Sequence, residues 1–408
     1  MVVIEGIKLQ NVRNIPPMEI PLSAKERKHL IITGPNGSGK TTLINDLKLF
    51  CREMKEKVAG YYQHALKESK VSRYEDIFNS PEGRTHRNVI EQRKHQIVEE
   101  AHAVISLTDA DSFYPAYLRG EFIICSFDAH RRVDFIEPKG PVKIEVKNTL
   151  EENVGRYFVQ MLVNFRARRS FANDDNDIEL VSRINTWFQR FEKALTVILG
   201  HDRFKLVFDS VNFNYTIQEE GKEPYHFSQL SDGYSALLSI VSELMLRMGW
   251  EDPLLAYDKP GIVLIDEVEN HLHVELQRKV LPFLTEFFPN IQFIVTSHSP
   301  FVITSIKDCV LFDMSKRVCY NDLSEYSYAS VIEDYYGVSP YSDTLIKMVG
   351  ELEEILAKPQ LDEQEKQYVK EIYESVSNLP ERQIVSPELR VKVNDLILKN
   401  ISKLHGIF

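Results

Sequence analysis

A chain of 408 residues, 43% hydrophobic and 27% charged, has the make-up of a globular protein with a sizeable core, which excludes a disordered or fibrous chain. Its 49 Lys+Arg against 60 Asp+Glu give a formal net charge of -11, which argues against a surface coated in basic residues for non-specific nucleic-acid binding, though not against a local basic groove. No apolar run reaches the roughly 18 residues of a membrane span, the N-terminus lacks a signal-peptide pattern, and the four cysteines (Cys51, Cys125, Cys309, Cys319) match no zinc spacing, so a cytoplasmic protein with reduced thiols is expected.

The first fifty residues read as strand, turn, strand, loop and helix. Ile7-Lys8-Leu9 and Met18 to Leu22 alternate in polarity, and His29-Leu30-Ile31-Ile32-Thr33 is a compact buried strand. That strand runs into Gly34-Pro35-Asn36-Gly37-Ser38-Gly39-Lys40-Thr41, which is followed by the helical pattern Thr42-Leu43-Ile44-Asn45-Asp46-Leu47. A glycine-rich loop between a strand and a helix is the setting of a phosphate-binding P-loop. Its glycines let backbone N–H groups turn inward, and the helix N-terminus adds its positive end. In this pattern Lys40 meets the β- and γ-phosphates, the Thr41 hydroxyl is placed for Mg²⁺, and Asn36, Gly37, Ser38, Gly39 and Thr42 complete the cradle. The bland reading is a plain glycine-rich turn.

Further along, charged segments at Arg52 to Glu68 and Arg87 to Ser106 read as helices, too short for a long coiled coil and without a Cys-x-x-Cys hook. The strand Phe122 to Phe127 follows and ends in Asp128-Ala129-His130-Arg131-Arg132. A second helical stretch covers about 146–200 and carries Arg166-Ala167-Arg168-Arg169, a cluster that reads most simply as a solvated helix end. A hairpin over 201–227 (Phe204 to Phe208, then Asn212 to Gln218) leads into Leu230-Ser231-Asp232-Gly233-Tyr234, which opens an apolar helix. Ser231 and Gly233 therefore stand at a helix N-terminus, where an anion can bind, although Ser231 alone reads as an ordinary N-cap.

The strand Gly261 to Ile265 ends in Asp266-Glu267, and the strand from Phe293 ends in Thr296-Ser297-His298-Ser299-Pro300. Two acids at a strand end suit nucleotide hydrolysis, one in the Mg²⁺ shell and one polarising the attacking water; the bland reading is a solvated acidic turn. His298 at a strand's C-terminal end lies where open α/β sheets bind ligands, though a lone histidine is more often structural. His271 and His273, in Glu269-Asn270-His271-Leu272-His273, form an H-x-H pair without a third ligand in register and make a weak metal site. Cys309 to Phe312 reads as the last strand of this domain, and about 324–408 as charged helices.

The ordered set of P-loop, LSDGY, strand plus Asp266-Glu267, ENHLH and TSHSP resembles the ABC-type ATPase heads of the RecF, SMC and OLD group. Within it the likeness is to stand-alone ATPase subunits of anti-phage defence, the PtuA subunits of Septu and the ATPases of retron systems. The resemblance implies an α/β head, with a mixed-sheet lobe and an antiparallel β lobe, carrying helical insertions and a helical C-terminal extension. It covers 1–50 and about 225–315, with the helices between matching in outline. It implies ATP and Mg²⁺ as ligands: Lys40 and Thr41 on phosphate and metal, Asp266 in the metal shell, Glu267 as catalytic base, His298 as switch histidine and Arg13 touching nucleotide. Ser231 and Gly233 would reach the γ-phosphate of an opposite subunit, and Glu269 to His273 would lie at the dimer seam. Two departures stand out. Asp232 occupies a position where many relatives have Gly or Ser, and the glutamine that usually joins the metal shell is not evident.

The organisation expected is a head in three parts (1–50, 121–145 and 228–320), a helical arm at 51–120, a helical lobe and hairpin at 146–227, and a helical extension at 321–408. No His-Asn-His set or acidic nuclease unit follows the head. The resemblance therefore implies an ATP-hydrolysing homodimer or higher homo-oligomer that regulates a separate HNH or Toprim nuclease in anti-phage defence, away from membranes. The alternative is a RecF-like repair ATPase that binds DNA directly. A transporter engine and a non-hydrolysing scaffold fit less well, the latter because Glu267 and His298 are both in place.

Overall fold

The computed structural model describes residues 2–10, 12, 15–69, 83–144, 153–199, 205–249, 258–321, 323–337, 339, 343–377 and 387–404. They fall into two units, Met1–Tyr326 and Ser327–Phe408. Among the described residues no helix is long and apolar enough to cross a membrane.

The first unit is a mixed α/β head. Strands β1 (Ile4–Leu9), β2 (Met18–Pro21) and β4 (Ala103–Leu107) form an antiparallel sheet in the order β2-β1-β4. A six-stranded sheet holds β3 (His29–Thr33), β5 (Ile123–Phe127), β9 (Gly261–Ile265), β10 (Ile291–Thr296), β11 (Cys309–Asp313) and β12 (Val318–Asn321), in the order β12-β11-β3-β10-β9-β5. All its neighbours are parallel except β11 with β12. A smaller antiparallel sheet joins β6 (Lys205–Asp209), β7 (Asn214–Gln218) and β8 (Tyr225–His226). Every residue of β3, β9 and β10 is buried, as expected for parallel strands covered on both faces.

The helix Lys40–Glu53 lies in the core shared by the first two sheets. Its Leu43, Ile44, Leu47 and Phe50, spaced for one helical face, pack in one cluster with Ile4, Ile7 and Ile20 of the antiparallel sheet and with Leu30, Ile32, Leu264 and Ile294 of the six-stranded one. Buried Gln292 also ties the sheets, accepting from Ile4 N–H at 2.7 Å and donating to the carbonyls of Ile4 (3.2 Å) and Lys28 (2.7 Å). Two sequence expectations change here. The helix expected to run to Ser106 ends at Glu100, and Ala103–Leu107 is β4, because that short apolar run finds a pairing partner in β1. The segment 51–120 is therefore not wholly a helical arm. Nor is β11 the last strand, since the half-exposed β12 pairs outside it as an edge. Phe204, expected in the hairpin, lies outside the described residues.

In the second unit the helices Asp343–Ala357, Glu363–Ser377 and Pro387–Lys399 bury Leu352 and Leu356, Val369 and Ile372, and Val393 and Ile397 on one another. The spacing of three or four within each pair makes one apolar stripe per helix.

His29 at the head of β3 is 8% exposed, and its Nδ1 accepts the Phe293 N–H at 3.1 Å. Burial, aided by the neighbouring Arg27, pulls its pKa down to about 4 from the ordinary 6.5. The unfolded chain takes up this proton near the ordinary value and the folded chain only near the lowered one. Stability should therefore be full above about pH 6.5 and decline towards pH 4, by up to ~3 kcal/mol from this residue. Denaturant unfolding of the parent and of His29→Gln across that window should show a flatter profile in the variant; parallel profiles would mean that His29 does not titrate this way.

Candidate functional site

The parallel register decides where the charged residues meet. Phe127 pairs with Ile265, Ile265 with Val295, Thr296 with Ile32, and Thr33 with Asp313. The loops after β3, β5, β9 and β10 therefore leave one edge of the sheet, carrying Gly34–Lys40, Asp128–Arg131, Asp266–Glu267 and Ser297–His298.

The first loop is shaped by its glycines. Gly34, Gly37 and Gly39 take φ of 142°, 79° and 103°, where L side chains are rarely found, and a Cβ on Gly34 would lie 3.0 Å from Ser38 Oγ. Gly39 caps the helix Lys40–Glu53 with no side-chain hydrogen bond to the helix N-terminus. The Lys40 ammonium folds back on the loop, donating to the carbonyls of Gly34 (2.9 Å) and Pro35 (3.2 Å). Ser38 Oγ is buried with no hydrogen-bond partner. Asn36, Gly37 and Thr41 are exposed and Thr42 half-buried. A loop with an uncapped helix N-terminus, an orphaned hydroxyl and a cation held by two of its own carbonyls fits a polyphosphate.

Beside it, the turn after β9 is fixed by Thr296. Its buried hydroxyl donates to Asp266 Oδ1 (2.6 Å) and accepts the Glu267 N–H (2.7 Å). Glu267 takes a φ of 46°, which a residue with a side chain seldom adopts unaided. Burial lowers the pKa of Lys40, while the carboxylates of Glu267, Asp266 and Glu269 pull it back up. Burial also lowers that of His298, with the Lys40 charge adding to the effect, so this imidazole is neutral at neutral pH. The register of β3, β10 and β9 brings Lys40, Asp266, Glu267 and His298 to the same edge of the sheet. Glu269 accepts the His298 backbone N–H, and burial raises its pKa.

Arg131, two residues past Ala129 in the loop after β5, reaches the same turn. It donates to the carbonyls of Asp128 (3.2 Å), Asp266 (2.8 Å), Glu267 (2.9 Å) and Val268 (2.8 Å). Asn270 Nδ2 adds a bond to Ala129 O at 3.0 Å. Sequence reasoning named Thr296 and Arg131 within their segments but gave neither a role. The available signal was a second arginine at a strand end in an acidic chain.

Ser231 is the exposed N-cap of the helix Asp232–Met248, and its side chain makes no cap hydrogen bond, unlike an ordinary Ser cap. Gly233 is buried against the turn after β9: a Cβ there would lie 2.7 Å from His271 O. His271 and His273 are both exposed, and Arg13 lies outside the described residues.

Residues 30–304 match the family described as "AAA domain, putative AbiEii toxin, Type IV TA system". The chain belongs to this AAA domain family. It is similar to the Retron Vc95 probable ATPase of Vibrio cholerae serotype O1 biovar El Tor, at 30% identity over 201 residues, 48% of this chain and 36% of that one. It is also similar to the Septu protein PtuA of Bacillus mycoides (strain KBAB4), at 26% over 215 residues, 48% and 29% of the two chains. A second Septu protein PtuA, from Bacillus thuringiensis, is 25% identical over 324 residues, 74% and 73%. The chain thus spans about a third of the length of the first two relatives. Among solved structures, the Smc head domain with an extended coiled coil, derived from Pyrococcus furiosus, is similar at 12% identity and a TM-score of 0.38, covering 82% of this AAA chain and 100% of that one.

The tight approach of Gly233 to His271 yields a prediction. Ala inside a helix ordinarily gains ~0.5–1 kcal/mol over Gly. Here its methyl group must push the His271 carbonyl away, and overpacking of this kind costs about 1–3 kcal/mol. Gly233→Ala should therefore lower stability in chemical denaturation; an increase would show that the helix start and this turn are not in contact.

Proposed function

We propose that the chain binds ATP with Mg²⁺ and hydrolyses it at the edge where β3, β5, β9 and β10 end. The observation that carries this reading is the arrival of Lys40, Asp266, Glu267 and His298 at one edge of the sheet, after β3, β9 and β10, beside a glycine-rich loop. The similarity to a retron ATPase supports it. On this reading the Lys40 ammonium leaves the carbonyls of Gly34 and Pro35 for the β- and γ-phosphates. The amides of Asn36, Gly37, Ser38, Gly39, Thr41 and Thr42 line the phosphate path. Thr41 and Asp266 would hold the metal, which when bound would neutralise charge on the phosphate oxygens. Glu267 takes the proton of the attacking water, and the neutral His298 imidazole orients that end of the substrate. Arg13 adds a contact to the nucleotide.

The exposed, unbonded Ser231 supports completion of each site by a second head, with Ser231 and Gly233 reaching the partner's γ-phosphate in a homodimer or higher homo-oligomer. Likeness to Septu PtuA supports a part in anti-phage defence; in this reading the protein works in the cytoplasm and the ATPase gates a separate effector nuclease. The helical unit Ser327–Phe408 supplies a surface for that effector beyond what the head needs.

Two single substitutions separate binding from chemistry. Lys40→Ala should weaken ATP binding by more than ~1 kcal/mol, because a charge-assisted contact is lost. Glu267→Gln should bind ATP as the parent does and lose about 10²–10⁴-fold in kcat, since an amide cannot act as a base. Unchanged affinity in the first or parental turnover in the second, by calorimetry and phosphate release, would remove the assignment.

Completion across two heads is tested by mixing. Lys40→Ala and Ser231→Arg subunits should each be inactive alone. Together they should form dimers with one doubly damaged and one intact composite site, and so recover turnover. No recovery, with mixed dimers shown to form, would favour sites completed within one chain or strictly coupled in pairs.

A further inference from the structure

We propose that Arg131 is a positioning residue for the hydrolytic turn, its guanidinium holding residues 266–268 in the backbone conformation that aims the Glu267 carboxylate. The inference rests on the ATPase reading above and assigns a role to a side chain outside the phosphate loop and the acidic pair.

The argument begins with the backbone. Glu267 stands at a φ of 46°, and a non-glycine residue holds that conformation only where its surroundings over-determine it. Thr296 supplies one constraint, through the Glu267 N–H. On the carbonyl side, the Glu267 C=O accepts the Asn270 N–H at 2.9 Å, and the three successive C=O groups of Asp266, Glu267 and Val268 call for a further donor. Arg131 meets all three at 2.8, 2.9 and 2.8 Å, with Nη1 and Nη2 both engaged. The bond from Nη1 to Asp128 O, at 3.2 Å, anchors the same guanidinium to the end of β5, and Asn270 closes the ring through Ala129 O. Arg131 is 8% exposed, and its bonds to Asp266 O and Val268 O are buried. A planar fork with donors in fixed directions can serve several carbonyls spread around it, whereas a lysine ammonium offers a single point.

These bonds run to backbone oxygens, so Arg131 would act through Glu267 rather than on the substrate. Its positive charge also sits among the carboxylates of Glu269, Asp266 and Glu267, which oppose the lowering of its own pKa by burial. Loss of the fork should leave the ATP cradle intact and let the turn relax, misaiming the carboxylate. Displacement of a reacting group by about 1 Å is worth on the order of 100-fold in rate.

The experiment uses the full chain, with Arg131→Lys and Arg131→Gln beside the parent. Arg131→Lys is expected to lose about 100-fold in kcat while KM and ATP affinity stay within about twofold, the split expected when only transition-state alignment suffers. Amide hydrogen exchange at Glu267 and Asn270 should quicken by about tenfold or more, with the amides of β9 unchanged. A kcat within about twofold of the parent, or a loss carried entirely by KM, would overturn the proposal. If the parent itself shows no turnover, the ATPase reading has failed, and the exchange rates decide by themselves whether Arg131 holds the turn. Should both Arg131 variants lose their cooperative unfolding transition, Asn270→Ala cuts the tether to Ala129 alone and should lower kcat by about tenfold with KM kept. A parental kcat there would overturn the idea equally.

Discussion

Charge has to be kept at a nearly dry edge of a buried sheet, and the rest of the head is arranged around that requirement. Lys40 is 5% exposed and Asp266 4%, and taking such ions from water costs several kcal/mol each unless partners replace the lost solvent. Each is therefore matched. Asp266 has the Thr296 hydroxyl, Lys40 has two loop carbonyls, and the carboxylates of Glu267, Asp266 and Glu269 oppose the burial that lowers the Lys40 pKa. These groups come from three segments far apart in sequence, residues 34–40, 266–269 and 296. The parallel pairing of β3, β10, β9 and β5 makes them neighbours, and that pairing rests on strands buried on both faces. The core thus reaches function through register: a slip of one residue would turn Thr296 away from Asp266 and leave a carboxylate buried without its donor.

What could be read beforehand follows the same division. The phosphate loop and the acidic pair were legible because their chemistry needs several residue types at fixed spacing within one short segment, between a strand and a helix. The strands around them were legible as compact apolar runs, and so was the mixed α/β architecture. Arg131 and Thr296 were not, because their meaning lies in partners 135 and 30 positions away. Nothing local separates Arg131 from Arg132, its exposed neighbour; the fold alone decides which of the two turns inward. The strand β4 was missed for a related reason. Ala103–Leu107 follows eighteen helical residues and has no turn signal of its own beyond Ala101-His102, so its state is decided by the unpaired edge of β1. Helix and strand cannot be told apart in so short an apolar run by periodicity alone.

The helix Asp232–Met248 shows a second way in which buried charge organises this head. Glu243 and Arg247, one turn apart, pair at 2.7 Å with side chains only 6% and 4% exposed. Glu243 also accepts the backbone N–H of Gly155, and a Cβ on Gly155 would lie 2.7 Å from Ser242 Oγ, so the segment that starts the helical lobe is seated on this helix with no room for a side chain. Such a pair adds little net stability over apolar residues of the same shape. Breaking it is another matter, since the surviving charge would be stranded in a buried site.

The turn after β9 is where these arrangements meet. Glu269 holds the backbone of His298, Asn270 holds the loop that carries Arg131, and the His271 carbonyl lies against Gly233 at the head of the helix whose far end is seated on the lobe. Within three residues the chain therefore touches the strand end that carries His298, the loop from β5 and the start of the helix Asp232–Met248. None of the three contacts has slack. One is a hydrogen bond to a mostly buried carboxylate, one crosses between two loops, and one is a backbone approach that excludes even a methyl group. Packed contacts of this kind shift between discrete arrangements rather than deforming by degrees. A displacement of Glu267 would consequently be passed to Gly233 by the backbone itself, through a turn too short and too tightly held to absorb it.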